Sequence, residues 1–371
     1  MKKELREIFN YKQINPEFPL HAFHAYPCKF PAFIPREIIK RFAVKGDVVC
    51  DPFVGSGTTL LEASLLGYSS IGNDINPLSC LLARVKAKPI KKIILNKIDF
   101  LTKTLIEEYK GKKNIELFYY DSVDHWFSKD VIRQLSFLKE KISEEPHGDL
   151  RDLLHIILSA ILVKVSNQES DTRYAAISKK QKDLGALNAF ICKAIEAKKI
   201  YLDFDAKAQE VDVKVLNSDG RDLKGIKKSS VDLIITSPPY ANTYDYYLYH
   251  KHRKFWLGMD VKYAQLNEIG SRREFSSLKE VPQKWNDDLR KCLLEMKRIV
   301  KVGGLIFIII GDSVINKKII KAEKMIQALS VDVGLEFMDV VSAPLSKHSK
   351  MFNPRFATKF AKEEHLVLLR K

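Results

Sequence analysis

Two short runs, far apart in the chain, hold residues whose types and spacing could do chemistry. Ser237-Pro238-Pro239-Tyr240 ends the apolar run 231–236. A buried strand that finishes on a hydroxyl, two prolines and a ring sets stiff backbone carbonyls beside a stacking surface. That combination suits a flat base bearing an exocyclic amine. Such an amine is a poor nucleophile, because its lone pair is delocalised into the ring. Hydrogen bonds from it to the Ser237 hydroxyl and the Pro238 carbonyl favour a tetrahedral nitrogen with a directed lone pair. Tyr240 is then placed to stack on the base.

The second run is Asp51-Pro52-Phe53-Val54-Gly55-Ser56-Gly57-Thr58-Thr59. It follows a short apolar strand at 48–50 and opens a helical pattern at 58–66 that stops at Gly67. Gly55 and Gly57 permit a tight turn and close backbone approach to a ligand, and the helix start offers unpaired N–H groups to an anion. The third glycine of a dinucleotide fingerprint is missing, as is the Gly-Lys-Ser/Thr of a phosphate loop. A second strand, 69–74, finishes on Asp74, an acid placed to accept ribose hydroxyls. A third, 211–216, precedes Asp219, placed to accept from an adenine amine. This order predicts the first half of a doubly wound α/β sheet.

The elements that must position these runs read as follows. Residues 1–20 look like a polar lead-in, and 21–31 form an aromatic, proline-broken segment that excludes regular helix. Pro35 opens a short helix to 42. After Asp74 the α/β regularity stops until 211, and 96–109, 129–143, 150–165 and 179–199 carry helical apolar spacing. The chain therefore divides into 1–90, the first part of a catalytic domain; 91–205, a mostly helical insertion expected to recognise the target; and 206–371, the second catalytic part. Beyond the tetrapeptide, 244–256 interleaves rings with cations, a mixture suited to base stacking and phosphate contact, with some of its rings expected in the core. Arg173, Lys179, Lys180 and the pair Arg272-Arg273 are further candidates for phosphate or base contact, and Ser166 to Tyr174 and 179–182 form polar and basic islands. A helix at 285–300 ending at Gly303-Gly304, a strand at 305–310 and a last strand at 365–369 complete the reading.

Composition narrows the class. The 371 residues are 46% hydrophobic and 29% charged, proportions of a globular protein. No apolar run reaches the roughly 18 residues of a membrane span; the longest, 153–163, is broken by His155 and Ser159. The first residues lack the apolar core of a signal peptide. Cys28, Cys50, Cys80, Cys192 and Cys292 show no metal-ligand spacing, so a reducing cytoplasm and no structural zinc are expected. A net charge of +16 points to a polyanionic partner.

Both runs, in this order, resemble the amino-methyltransferases of restriction-modification type that methylate exocyclic amines of DNA bases with S-adenosylmethionine. The resemblance covers residues 20–85 and 210–371. It implies a Rossmann-like methyltransferase sheet, double-stranded DNA as substrate, a bacterial or archaeal cytoplasmic setting and a cognate restriction endonuclease, with the chain a monomer or homodimer. It assigns Asp51, Phe53, Gly55, Ser56, Gly57, Thr58, Thr59, Asp74 and Asp219 to the cofactor, and Ser237, Pro238, Pro239 and Tyr240 to catalysis. Residues 24–30 resemble the family's motif ahead of the glycine loop, so Tyr26 and Phe30 are expected to pack on the cofactor and Lys29 to neutralise its carboxylate. Cys28 beside Pro27 is not the Pro-Cys nucleophile of cytosine-C5 enzymes, whose place is taken here by the Ser-Pro-Pro-Tyr run. Serine in that run's first position is more typical of cytosine-N4 enzymes, and Asp or Asn of adenine-N6 enzymes. The expected reaction is therefore cytosine-N4 methylation. Adenine-N6 methylation is the alternative, followed by RNA guanine-N2 methylation. A DNA-binding protein on a dead enzyme fold would show eroded motifs, and these are intact.

Overall fold

A computed structural model describes residues 1–9, 17–171, 173–180, 183–242, 244–271, 281–315, 318–344 and 362–371. Seven strands form its main sheet: β1 (Val48–Asp51), β2 (Ser69–Asn73), β3 (Val213–Leu216), β4 (Val231–Thr236), β5 (Val300–Gly311), β6 (Glu336–Pro344) and β7 (Glu363–Arg370). Their spatial order is β6-β7-β5-β4-β1-β2-β3. The pairs β1/β2, β1/β4, β2/β3 and β4/β5 are parallel, whereas β7 runs antiparallel to both β5 and β6. From β1 the order runs outward through β2 to β3 on one side and through β4 to β5 on the other. The switch point of this doubly wound sheet therefore lies between β1 and β4, where ligands of such sheets bind at the carboxyl ends.

The central strands are apolar on both faces, as parallel strands under helices must be. In β5, Ile306, Ile308 and Ile310 face one core with α10 (Val281–Ile299) and α11 (Ala322–Val333), while Phe307 and Ile309 face another. That other face holds α1 (Lys2–Phe9) and α2 (Phe33–Phe42). The expected polar lead-in is thus partly a helix, since Leu5, Ile8 and Phe9 of α1 are buried. Pro35 is the third residue of α2 rather than its first.

The glycine loop leads into α3 (Thr58–Leu65), which ends where Gly67 turns left-handed at φ +80°. Regularity does not stop at Asp74. Helix α4 (Pro77–Ala87) follows at once, with the Asn76 side chain accepting from the Leu78 N–H and Pro77 at the first turn. The insertion builds α5 (Lys92–Gly111), α6 (Lys129–Glu144), α7 (Asp149–Val165) and α8 (Gly185–Lys207). Helix α8 begins six residues later than its pattern suggested, because 179–180 are irregular and the segment ahead is a hairpin, Gln168–Ser170 with Arg173–Ala176. The insertion packs with α4 into one core, where Leu78, Leu81, Leu82 and Val85 meet Leu135, Leu154, Leu158 and Phe190. Strand β5 begins at Val300, ahead of Gly303-Gly304, and α11 and β6 complete the sheet's far side. Among the described residues no helix is long and apolar enough to cross a membrane.

Candidate functional site

Strands β1 and β4 are hydrogen-bonded neighbours, with Val49 opposite Leu233 and Cys50 opposite Ile234. The loops that leave their carboxyl ends, the glycine loop and the tetrapeptide, therefore start side by side. Asp51 ties them together. One carboxylate oxygen accepts from Thr236 Oγ1 at 2.6 Å and from the Phe53 N–H at 3.1 Å, and the other accepts from Thr59 Oγ1 at 2.9 Å. The Thr59 hydroxyl also reaches the Ile235 carbonyl at 3.3 Å. Burial pushes Asp51 up to about 6 despite three donors. The structure thus makes Asp51, Thr59 and Thr236 the knot that fixes both loops.

Gly55 and Gly57 are both left-handed, at φ +48° and +80°. A Cβ on Gly57 would stand 2.6 Å from the Ala83 Cα of α4, so that position requires glycine for space as well as for conformation. The Gly55 N–H donates to Asp74 at 2.9 Å, and the other Asp74 oxygen accepts from the Asn76 N–H at 2.8 Å. Loss of water raises Asp74 to about 6. Tyr26 covers the loop: its ring lies 3.5 Å from where a Gly55 Cβ would be, and its hydroxyl shares a 2.8 Å hydrogen bond with Ser79. Beneath, the Ser56 carbonyl accepts from the buried Lys86 ammonium at 2.8 Å, and desolvation lowers Lys86 to about 7. Ser56 and Thr58 share a 3.3 Å hydrogen bond.

Beside this cradle lie two buried polar groups that find no partner among the described residues, Lys254 Nζ and His250 Nε2. The carboxylates acting on Lys254 are Glu268, Asp74 and Asp260, and the other His250 nitrogen accepts from Asn76 Nδ2 at 3.1 Å. Glu268, raised to about 8 by burial, accepts from the Tyr246 and Tyr247 N–H groups. A glycine cradle, an acid at the second strand's end, a covering ring and orphaned donors fit a nucleoside with a charged amino-acid tail.

Several expected residues have other partners. Both Asp219 oxygens are engaged by Arg221, at 2.6–3.1 Å through its side chain, and Arg221 also pairs with Asp288 at 2.9 Å. Asp219, expected to accept from an adenine amine, thus already carries a cation on both oxygens. Lys29 donates to the His21 carbonyl. Phe53 packs onto Gly220, where a Cβ would lie 2.7 Å from its ring. Phe30 is half-buried.

Around the tetrapeptide, Trp285 Nε1 donates to the Pro239 carbonyl at 3.2 Å. The Tyr240 hydroxyl donates to Glu364 Oε1 at 2.9 Å and also meets the Ser237 side chain. Pro238 is buried. Sequence reasoning missed Glu364, Trp285, Lys86 and Glu268, and read Lys254 only as part of a stretch suited to phosphate. Glu364 had no local signal, since its partner lies 124 positions earlier.

In the aromatic and basic stretch 244–256, Tyr244, His250, His252, Arg253, Lys254 and Trp256 are buried and the rest half-buried, a correction to the expected phosphate contact at Arg253 and Lys254. Arg253 is 2% exposed and braces the insertion through Asp171 and the Ser159 carbonyl; Lys254 and Trp256 are fully buried. Helix α9 (Lys251–Trp256) packs against α7, and Arg253 is spent on that contact, while its rings pack on Phe118, Tyr120, Phe127 and Tyr174. Lys179 is likewise turned inward, onto the Val163 and Gln168 carbonyls. Arg173 and Lys180 are exposed. Thr172, Gln181, Lys182, Arg272 and Arg273 lie outside the described residues.

The family model described as DNA methylase, of the N6/N4 type, matches residues 2–85 and 231–367, more than half of the chain. Among curated relatives, the Type II methyltransferase M.MjaII of Methanocaldococcus jannaschii is 26% identical over 79% of this chain and 72% of its own length. The Type II methyltransferase M.MvaI of Kocuria varians is 25% identical over 71% and 64% respectively. For the Type II methyltransferase M.BsoBI of Geobacillus stearothermophilus the figures are 27%, 70% and 57%.

Proposed function

The chain belongs to the N6/N4 family of DNA methylases, and from that premise we propose that it transfers the methyl group of S-adenosylmethionine to the exocyclic N4 amine of a cytosine turned out of double-stranded DNA. The observation that carries the reading is Ser237 at the head of the tetrapeptide, on a β4 end knotted to the glycine loop through Thr236 and Asp51. When bound, the sulfonium supplies an electrophilic methyl group. Asp74, ionised above about pH 6, accepts from the ribose hydroxyls. Gly55 and Gly57 admit the backbone to close contact, and Lys254 and His250 offer the orphaned donors. Ser237 and the Pro238 carbonyl take hydrogen bonds from the amine, and Tyr240 stacks on the base. With both loops held by one buried carboxylate, catalysis rests on alignment and exclusion of water.

The insertion, 91–205, supplies target recognition in this reading, and a restriction endonuclease acting on the same sequence is the partner suggested by the relatives' Type II names. The test is mass spectrometry of nucleosides from DNA of cells expressing the chain, against a vector control. N4-methylcytosine is the expected product. N6-methyladenine would keep the family and overturn the choice of base, and modification confined to RNA would overturn the substrate.

A further inference from the structure

Transfer to an amine leaves that nitrogen with one proton too many, and a pocket that excludes water must give the proton somewhere to go. The pocket has a carboxylate for it one ring behind the reacting serine. Glu364, at the start of β7, is buried, and its Oε1 accepts from the Tyr240 hydroxyl at 2.9 Å. The Ser237 side chain is also in hydrogen-bonding reach of the Tyr240 hydroxyl. Tyr240 thus has one neighbour in the tetrapeptide, Ser237, and one on the sheet's antiparallel strand β7, Glu364.

We infer that Ser237, Tyr240 and Glu364 form a proton relay, with Glu364 the terminal acceptor of the proton released by the methylated amine. This deepens the amine-activation reading of Ser237 and rests on it. As the N–C bond forms from the amine lone pair, the S–C bond breaks and its pair stays on sulfur. The amine proton passes to Ser237 Oγ, the serine proton to the Tyr240 oxygen, and the Tyr240 proton to Glu364, which becomes a neutral acid. Both hydroxyls end as they began. After product leaves, Glu364 returns its proton to water.

Glu364 must be ionised to accept. Burial raises it above the usual glutamate range, so turnover is expected to climb with pH through that raised midpoint. Among the described residues, the titratable groups facing it are Tyr240 beyond β4, Cys28 from the N-terminal segment and its neighbour His365 on β7, with Asp312 just after β5 and Glu323 of α11 paired to His365 at 3.0 and 3.2 Å.

The test compares Glu364→Gln, Tyr240→Phe and Ser237→Ala with the unaltered protein, using S-adenosylmethionine and unmethylated genomic DNA. Glutamine keeps an oxygen to hold Tyr240 but cannot take a proton. Glu364→Gln is expected to lower kcat by roughly 10²-fold, leave cofactor and DNA affinity within about twofold, and abolish the acid limb of the kcat–pH profile. Tyr240→Phe keeps the stacking ring, breaks the relay, and is expected to lose the same limb; it decides the matter if the Gln variant does not fold. Unchanged turnover and an unchanged limb in Glu364→Gln, with Ser237→Ala inactive, would overturn the relay and leave the amine reading standing. Full turnover in Ser237→Ala would overturn both.

Discussion

Asp74 shows how much one side chain is asked to do. It organises the glycine loop through the Gly55 N–H and the next helix through Asn76, and in the proposed function it accepts ribose hydroxyls as well. Only the ionised form can accept from every side. With Asp74 at about 6, cofactor affinity should be constant above that pH and weaken below it, approaching roughly tenfold per pH unit. Calorimetric titration of S-adenosylhomocysteine at pH 7.5, 6 and 5 checks this, and Asp74→Asn should flatten the dependence at a uniformly weaker affinity. Gly57 is a sharper case. Alanine there meets Ala83 at 2.6 Å in a left-handed backbone, and should cost about 1–3 kcal/mol for crowding and roughly 1 kcal/mol more for conformation. Urea unfolding measures the loss; a midpoint equal to that of the unaltered protein would show that α4 shifts freely. Asp51, Gly55, Gly57, Asp74 and the tetrapeptide were legible because loop chemistry is local. Glu364 and Lys254 were not, since their roles arise from packing between distant segments.

At the scale of elements, patterns that depend on one strand or one helix read correctly, and those that depend on what covers them did not. The limits of β4 were read from its apolar run, because a central parallel strand is buried on both faces. Helix α4 escaped notice although Asn76-Pro77 is a recognisable helix start. The stretch 244–256 looked like a nucleic-acid surface because rings and cations alternate there, yet Arg253 and Lys254 are interior. Composition alone cannot tell a cation facing phosphate from one bracing a neighbouring helix. Of the cations singled out in the sequence, Arg173 on the short hairpin, paired with Glu169 at 2.9 Å, and Lys180 just beyond it are exposed. If these face the DNA backbone, replacing both with alanine should weaken binding and lower the salt dependence of log K by about 2 units of slope. Fluorescence anisotropy on duplex DNA over a salt series measures this. A slope equal to that of the unaltered protein would remove them from the interface, and cofactor affinity should be unaltered either way.

For the whole molecule, the insertion is continuous with the catalytic fold, since side chains of α4 and of α6–α8 share one core. Scanning calorimetry should therefore give a single endotherm with matching calorimetric and van't Hoff enthalpies, and two resolved peaks would mean that the shared core is weaker than its burial suggests. The doubly wound architecture was legible from the order of strand, glycine loop, helix and acid. Its antiparallel edge was not, because a lone terminal strand carries no sign of its direction. The pairing of β1 with β4 has a last consequence. The glycine loop and the Ser-Pro-Pro-Tyr run meet through the sheet, across a hydrogen-bonded seam, and the polypeptide between them only has to return. Linear gene order is thereby uncoupled from the catalytic geometry. A circularly permuted chain that began within the insertion and ran through the tetrapeptide before the glycine loop could assemble the same pocket from the opposite direction.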